Sequence, residues 1–139
     1  MIIIGILAAI AIPIFLNQQK TARDSATTSD VKNAATNTAT LLVANPGATT
    51  ATLVATDGTA TSTVITVGTG NTVTVSVTKG TQLGIVPGAT AGTYKIAGWN
   101  TGGKTYNAAP PTNPPLATAD IATGEGYLVY DSEAGGLQK

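Results

Sequence analysis

Hydrophobic positions along the chain follow two different rules. The first stretch, "MIIIGILAAIAIPIF", is apolar at almost every position and carries no charge. The segment after it, "LNQQKTARDSATTSDVKNAATNTATLLVANPG", is polar but keeps a mild apolar stripe. Phe15, Ala22, Ala26, Val31, Ala35, Thr38 and Leu42 recur at steps of three and four, mostly, as one face of a helix requires. Asn45, Pro46 and Gly47 end that pattern, because proline cannot continue the hydrogen-bond ladder and glycine accepts a left-handed cap. The periodicity predicts one helix from Ile2 to Ala44, with Pro13 kinking or locally opening it.

From Ala48 onward the period becomes two. In "NTVTVSVT", Val73, Val75 and Val77 alternate with Thr72, Thr74, Ser76 and Thr78, as in a half-buried strand. "STVITV" precedes it across Gly68, Thr69, Gly70 and Asn71, a hairpin turn signal. "TYKIAGW", "GYLVYDS" and, more weakly, "ATLVAT" supply further strands. The proline-rich "NAAPPTNPPLATADIATGEG" reads as an exposed loop. These elements predict an α+β fold, a long N-terminal helix packed on an antiparallel sheet. Residues 1–25 protrude as an apolar rod, and residues 26–139 form the globular head, with the helix's second half from about Ala26 lying on the sheet.

The apolar run then needs a cover. As a helix it reaches roughly 24 Å, short of a hydrocarbon core of about 30 Å. A secretory signal is the obvious rival, and Ala9-Ile10-Ala11 has the small-x-small form of a cleavage site. Yet the nearest cations, Lys20 and Arg23, follow the run instead of preceding it. That flank predicts further residues ahead of Met1. An exposed apolar rod is covered by lipid or by copies of itself.

Composition narrows the chemistry. Lys plus Arg number 7 and Asp plus Glu number 7, for a formal net charge of zero. A nucleic-acid surface or a polybasic membrane patch needs clustered cations that this balance does not supply. Cysteine and histidine are both absent, which removes disulfides, thiolate nucleophiles and the commonest neutral-pH general base. The chain is expected not to be an enzyme and to need no cofactor.

"GILAAIAIP" followed by "IFLNQQKTARDSATTSDVKNAAT" resembles the N-terminal helix of type IV pilins. Gly5, Leu7, Ala8, Ala9, Ile10, Ala11, Ile12 and Pro13 match that pattern position by position. At the other end, "GGKTYNA" and "YDSEAGGLQK" are similar to the closing sheet of pilins from Gram-positive bacteria, actinobacteria especially. The resemblance implies a membrane-held subunit that polymerises through its helix. It also implies a basic leader cut by a prepilin peptidase, a methylated first residue and a nearby glutamate, all of which would lie ahead of Met1. The paired cysteines of many Gram-negative pilins have no counterpart, so the C-terminal loop is expected to be held by packing alone. In assembled pilins the stretch between Gly5 and Pro13 commonly loses helical form. Glycine costs a helix about 1 kcal/mol relative to alanine and proline about 3, so these two residues are the expected hinge.

Other motifs weigh less. Gly98, Gly103, Lys104 and Thr105 in "GWNTGGKT" fit the phosphate-binding G-x-x-x-x-G-K-[ST] pattern. The helix needed after it is precluded by "YNAAPPTNPP", so a turn with Asn100, Thr101, Gly102 and Gly103 at its tip is the better reading. Asp120, Glu125, Asp131 and Glu133 could surround Ca²⁺, as in a comparable loop of type II secretion pseudopilins. Their spacing is not that of an EF-hand, and solvated carboxylates explain them more simply. Phe15, Tyr94, Trp99, Tyr106, Tyr127 and Tyr130 read as core and sheet packing. The threonine-rich faces fit β-propensity and equally O-glycosylation.

The resulting expectation is a structural subunit of a type IV pilus, processed at the inner membrane and moved into a helical homopolymer by an assembly machinery with a motor ATPase. Ile2, Ile3, Ile4, Ile6, Leu7, Ile10, Ile12, Ile14, Phe15 and Leu16 would form the filament core, with Gly5 and Pro13 as hinge. Alternatives are a pseudopilin of a secretion or DNA-uptake system, and a membrane-tethered adhesin that never polymerises.

Overall fold

A computed structural model describes residues 2–54, 56, 58–108 and 126–138. Helix α1 runs from Ile2–Ala44, 43 residues and thus about 65 Å long. It is helical at every residue through Gly5 and Pro13, so the local opening expected at Pro13 does not occur in the single chain. Its end is the predicted one. Asn45 donates through its backbone to Leu42 O at 3.1 Å and through its side chain to Leu41 O at 2.7 Å, satisfying carbonyls of the last turn.

Seven strands follow: β1 (Ala51–Leu53), β2 (Ser62–Val67), β3 (Asn71–Ser76), β4 (Gln82–Pro87), β5 (Tyr94–Trp99), β6 (Leu128–Asp131) and β7 (Gly136–Gln138). The α+β class is as expected, but the sheet is divided in two. One sheet has the order β1-β2-β3, the other β4-β5-β6-β7, and every pairing is antiparallel. β1 and β4 lie side by side without a ladder. Thr56 bridges that junction, its hydroxyl accepting from Leu83 N at 2.8 Å, and Gly92 N donates to Thr49 O at 3.1 Å. The β2–β3 hairpin has the expected turn, with positive φ at Gly68 and Gly70. β4 and β7 escaped the sequence reading. In β4 every residue except Pro87 is buried, so no alternation marks it. Most of the proline-rich loop lies outside the described residues.

The main core sits between α1 and the inner faces of both sheets. Val31, Ala34 and Ala35 from the helix meet Ile65, Val67, Val75, Leu83, Ile96 and Leu128. A smaller cluster of Val86, Ala97, Trp99 and Val129 lies on the far face of the second sheet, where Trp99 and Tyr127 meet edge to face at 5.3 Å. Tyr94 stacks on Tyr130 at 6.1 Å. Phe15 does not share this role: its side chain is 64% exposed, on the stretch of helix ahead of the head.

Candidate assembly helix and its mount

All ten of the large apolar residues from Ile2 to Leu16 are exposed, from 81% at Ile2 to 49% at Leu16. An 18-residue window of α1 near the N-terminus is long and apolar enough to cross a membrane, and none of it is buried by the rest of the chain. This revises the shortfall read from the apolar run alone, because the helix continues past Leu16. At Gly5 a β-carbon would meet nothing within 4 Å, so no intrachain packing calls for glycine there.

Burial starts at Asp24. From there the helix presents Asp24, Thr27, Asp30, Val31, Ala34, Ala35 and Thr38 to the head. Part of the predicted stripe is correct: Val31, Ala35 and Thr38 are buried, and Leu42 is half-buried. Ala22, like Phe15, is exposed. The polar members of the face are each satisfied. Thr27 and Thr38 donate their hydroxyls to the carbonyls of Arg23 (3.0 Å) and Ala34 (2.8 Å), one turn back in the same helix. Tyr94 from β5 donates its hydroxyl to Ala35 O at 2.8 Å, and burial pushes its pKa up to about 12.

Two carboxylates fasten the helix to the head. Asp24 Oδ1 accepts Lys104 N at 3.1 Å and Tyr106 N at 3.3 Å, and its Oδ2 accepts Thr105 N at 2.8 Å. Asp30 Oδ2 accepts Thr78 N at 2.9 Å. Successive backbone N–H groups form an anion-binding concavity. In the "GGKT" loop that concavity holds the chain's own Asp24, which removes the phosphate-binding reading of the motif. The expected turn at Asn100 is present, with Gly103 N donating to Asn100 O at 2.7 Å, and Asn100 N to Tyr106 O at 2.7 Å.

The glycines of the motif answer to the same helix. A β-carbon at Gly98 would run into Val31 Cγ2 and one at Gly103 into Asp24 Oδ1. Sequence reading missed this mount. Its only signal was that Asp24, Thr27, Asp30 and Val31 keep helical spacing, and a polar face of that kind is ordinarily a solvated one.

The carboxylates considered for calcium are otherwise engaged or outside view. Asp120 and Glu125 lie outside the described residues. Asp131 pairs with Lys95 at 2.8 Å, and Glu133 Oε1 accepts the Thr90 hydroxyl at 2.6 Å. Among the described residues no three acidic side chains gather to hold a metal. The C-terminal hairpin is therefore held by polar bonds as well as by packing, because Asp131 also accepts Glu133 N at 2.9 Å and Ala134 N at 3.3 Å.

The described architecture defines an α+β protein with a long, half-bare N-terminal helix mounted on a two-sheet head. No family model, curated protein or solved structure matches the chain.

Proposed function

We propose that the chain is a structural subunit of a type IV pilus, polymerising through its apolar N-terminal helix. One observation carries this reading: the most apolar stretch of the molecule is helical throughout yet packs on nothing of its own chain. Covering a large aliphatic side chain is worth about 1.5–3 kcal/mol. Lipid covers the run before assembly, and copies of the same run cover it at the filament axis. Ile2, Ile3, Ile4, Ile6, Leu7, Ile10, Ile12, Ile14, Phe15 and Leu16 carry that exchange. Gly5 and Pro13 supply weak points where the helix opens as it moves from one surrounding to the other. The proposed partners are other copies, the membrane and an inner-membrane assembly machinery with prepilin peptidase and motor ATPase. The proposed destination is the cell surface.

The test is electron microscopy of sheared surface material from cells making the wild-type chain and the variants Leu7→Asp and Ile10→Asp. Long filaments from wild type and none from either variant, with the head still folded, are the expected results. Undiminished filaments in the variants would overturn the mechanism. Sparse short fibres would place the chain with secretion pseudopilins, and a wild-type chain that stays dispersed in the membrane would make it a tethered adhesin.

A further inference from the structure

Among the described residues, β3 forms a free edge of the three-stranded sheet. Its register with β2 is one-to-one from Ser62↔Ser76 to Val67↔Asn71, with no bulge. Val77 N donates to Thr61 O at 2.9 Å, which extends that register by one bonded pair. By the alternation of an antiparallel ladder, Val75, Val73 and Asn71 also turn their backbone groups to β2. Thr72, Thr74 and Ser76 therefore turn theirs away from the sheet, and all three residues are exposed. The next outward N–H, that of Thr78, is already taken by Asp30. So the helix closes the edge beyond Ser76, and no described residue closes it before.

Natural sheets guard such an edge with lysine, proline, a bulge or an inward charge. From Asn71 to Thr78 this one has none of these; every residue is threonine, valine, serine or asparagine. The outer edge of the four-stranded sheet, β7, is only three residues long. We propose that the β3 edge pairs with the β3 edge of a second copy, antiparallel about a two-fold axis at Thr74.

Self-complementarity is the reason for choosing a second copy. With Thr74 opposite Thr74 of the other copy, Thr72 lies opposite Ser76 and Ser76 opposite Thr72, so all three outward residues exchange both backbone bonds. Shifting the register either way loses a pair. Threonine and serine opposite one another on a sheet face stabilise it. The stretch is uncharged and the chain has a formal net charge of zero, so no repulsion opposes the approach. Val73, half-buried at the rim while Val75 and Val77 are buried, gains cover. A two-fold contact reverses the partner chain, so in a filament of helices pointing one way it joins neighbouring filaments and lies outside the helix bundle. The contact stands whether or not the chain polymerises.

The native chain has no cysteine, so single cysteines report the contact. In the two-fold register the Thr74 Cα atoms lie about 5.5 Å apart, within disulfide reach. Thr72 and its own copy sit four residues out of register, roughly 13 Å apart and out of reach. Full-length chain in mild detergent is oxidised and its mass read without reductant. Thr74→Cys is expected to form a covalent dimer and Thr72→Cys is not. Without cysteines, the wild-type dimer is expected to be lost in Thr74→Lys and kept in Leu7→Asp, with the melting transition of each confirming the fold. A monomeric wild type, as a groove for some other extended segment would give, overturns the proposal. So does equal cross-linking at both positions, or a dimer that survives Thr74→Lys and disappears in Leu7→Asp, since either puts the contact in the helices. Loss of the fold in Thr74→Lys leaves the cysteine pair to decide.

Discussion

The two halves of α1 follow opposite rules within one continuous helix. Residues 2–16 are the most apolar part of the chain and are bare. Residues 24–38 are polar in composition yet form the packed half, burying two aspartates and two threonines beside Val31, Ala34 and Ala35. Hydrophobicity thus marks the surface that must be covered without naming the cover. The half that finds its cover inside the chain is positioned by directional bonds, with Asp24 and Asp30 accepting backbone N–H groups of the head. Each buried polar side chain of this half of the helix is satisfied, so its burial is tolerated and fixes one orientation of the helix on the sheets.

The sharpest break of this comparison is a charge in the bare half. Leu7→Asp or Ile10→Asp is expected to abolish assembly entirely while the head melts at the wild-type temperature, measured by circular dichroism of the full chain in detergent. Both residues touch nothing in the head, so a lowered melting temperature would contradict the division. The reverse break comes from Gly98. In Gly98→Val the side chain enters the space of Val31 and Thr27, and the misfit is expected to cost about 3 kcal/mol of head stability. Asp24→Ala comes next. It strips the shared acceptor from three loop N–H groups, for an expected loss of about 2 kcal/mol.

These residues also show what was legible in the sequence. Period and punctuation sufficed for α1, β2, β3 and their hairpin, because apolar spacing, Asn45-Pro46-Gly47 and the glycines of the turn act locally. β4 was hidden, since both its faces are covered and its pattern has no alternation. The bare run was legible as a surface in need of a partner. The mount was not, because Asp24 acquires its partners only when Gly98 and Gly103, more than seventy positions away, let the helix come close. The glycines of "GWNTGGKT" carried a strong local pattern, and the local pattern pointed to phosphate.

A smaller change tests the packed half from the sheet side. Tyr94→Phe keeps the ring and removes one buried bond to Ala35 O, for an expected loss of about 1 kcal/mol. The same hydroxyl makes the head sensitive to alkali. Its pKa is about 12 in the fold against 10.0 for the ordinary group, mainly through burial and secondarily through Tyr130. The folded chain thus holds that proton more tightly than the unfolded one. Its contribution is complete below pH 10 and is lost as pH rises towards 12. Wild type is expected to lose stability across that window more steeply than Tyr94→Phe does in parallel urea titrations.

The smallest effect lies farthest from the helix, at the pair that ties β5 to β6. Lys95 and Asp131 are direct cross-strand partners and meet at 2.8 Å on the sheet face turned away from α1. The bond from Lys95 holds the Asp131 carboxyl below the usual carboxylate range, helped by Glu133 N and Ala134 N and opposed by burial. The same bond, with the charge of Asp131, raises Lys95. A depressed carboxyl stabilises the fold at pH above the ordinary carboxylate range, and that contribution is lost as pH falls through the folded value. The raised ammonium acts at the other end, its contribution fading only as pH climbs past the ordinary lysine range. The Lys95 end of the pair stays in reach of solvent, so the pair is worth little. Lys95→Met is expected to lower the melting temperature by about 2 °C at neutral pH. The difference from wild type should close in acid, once Asp131 is protonated in both. Because this pair touches neither half of α1, the same substitution should leave filament formation unchanged. A loss of filaments would mean that the head's far face takes part in assembly, and the contrast between the two halves of the helix would then no longer account for how the subunit is built.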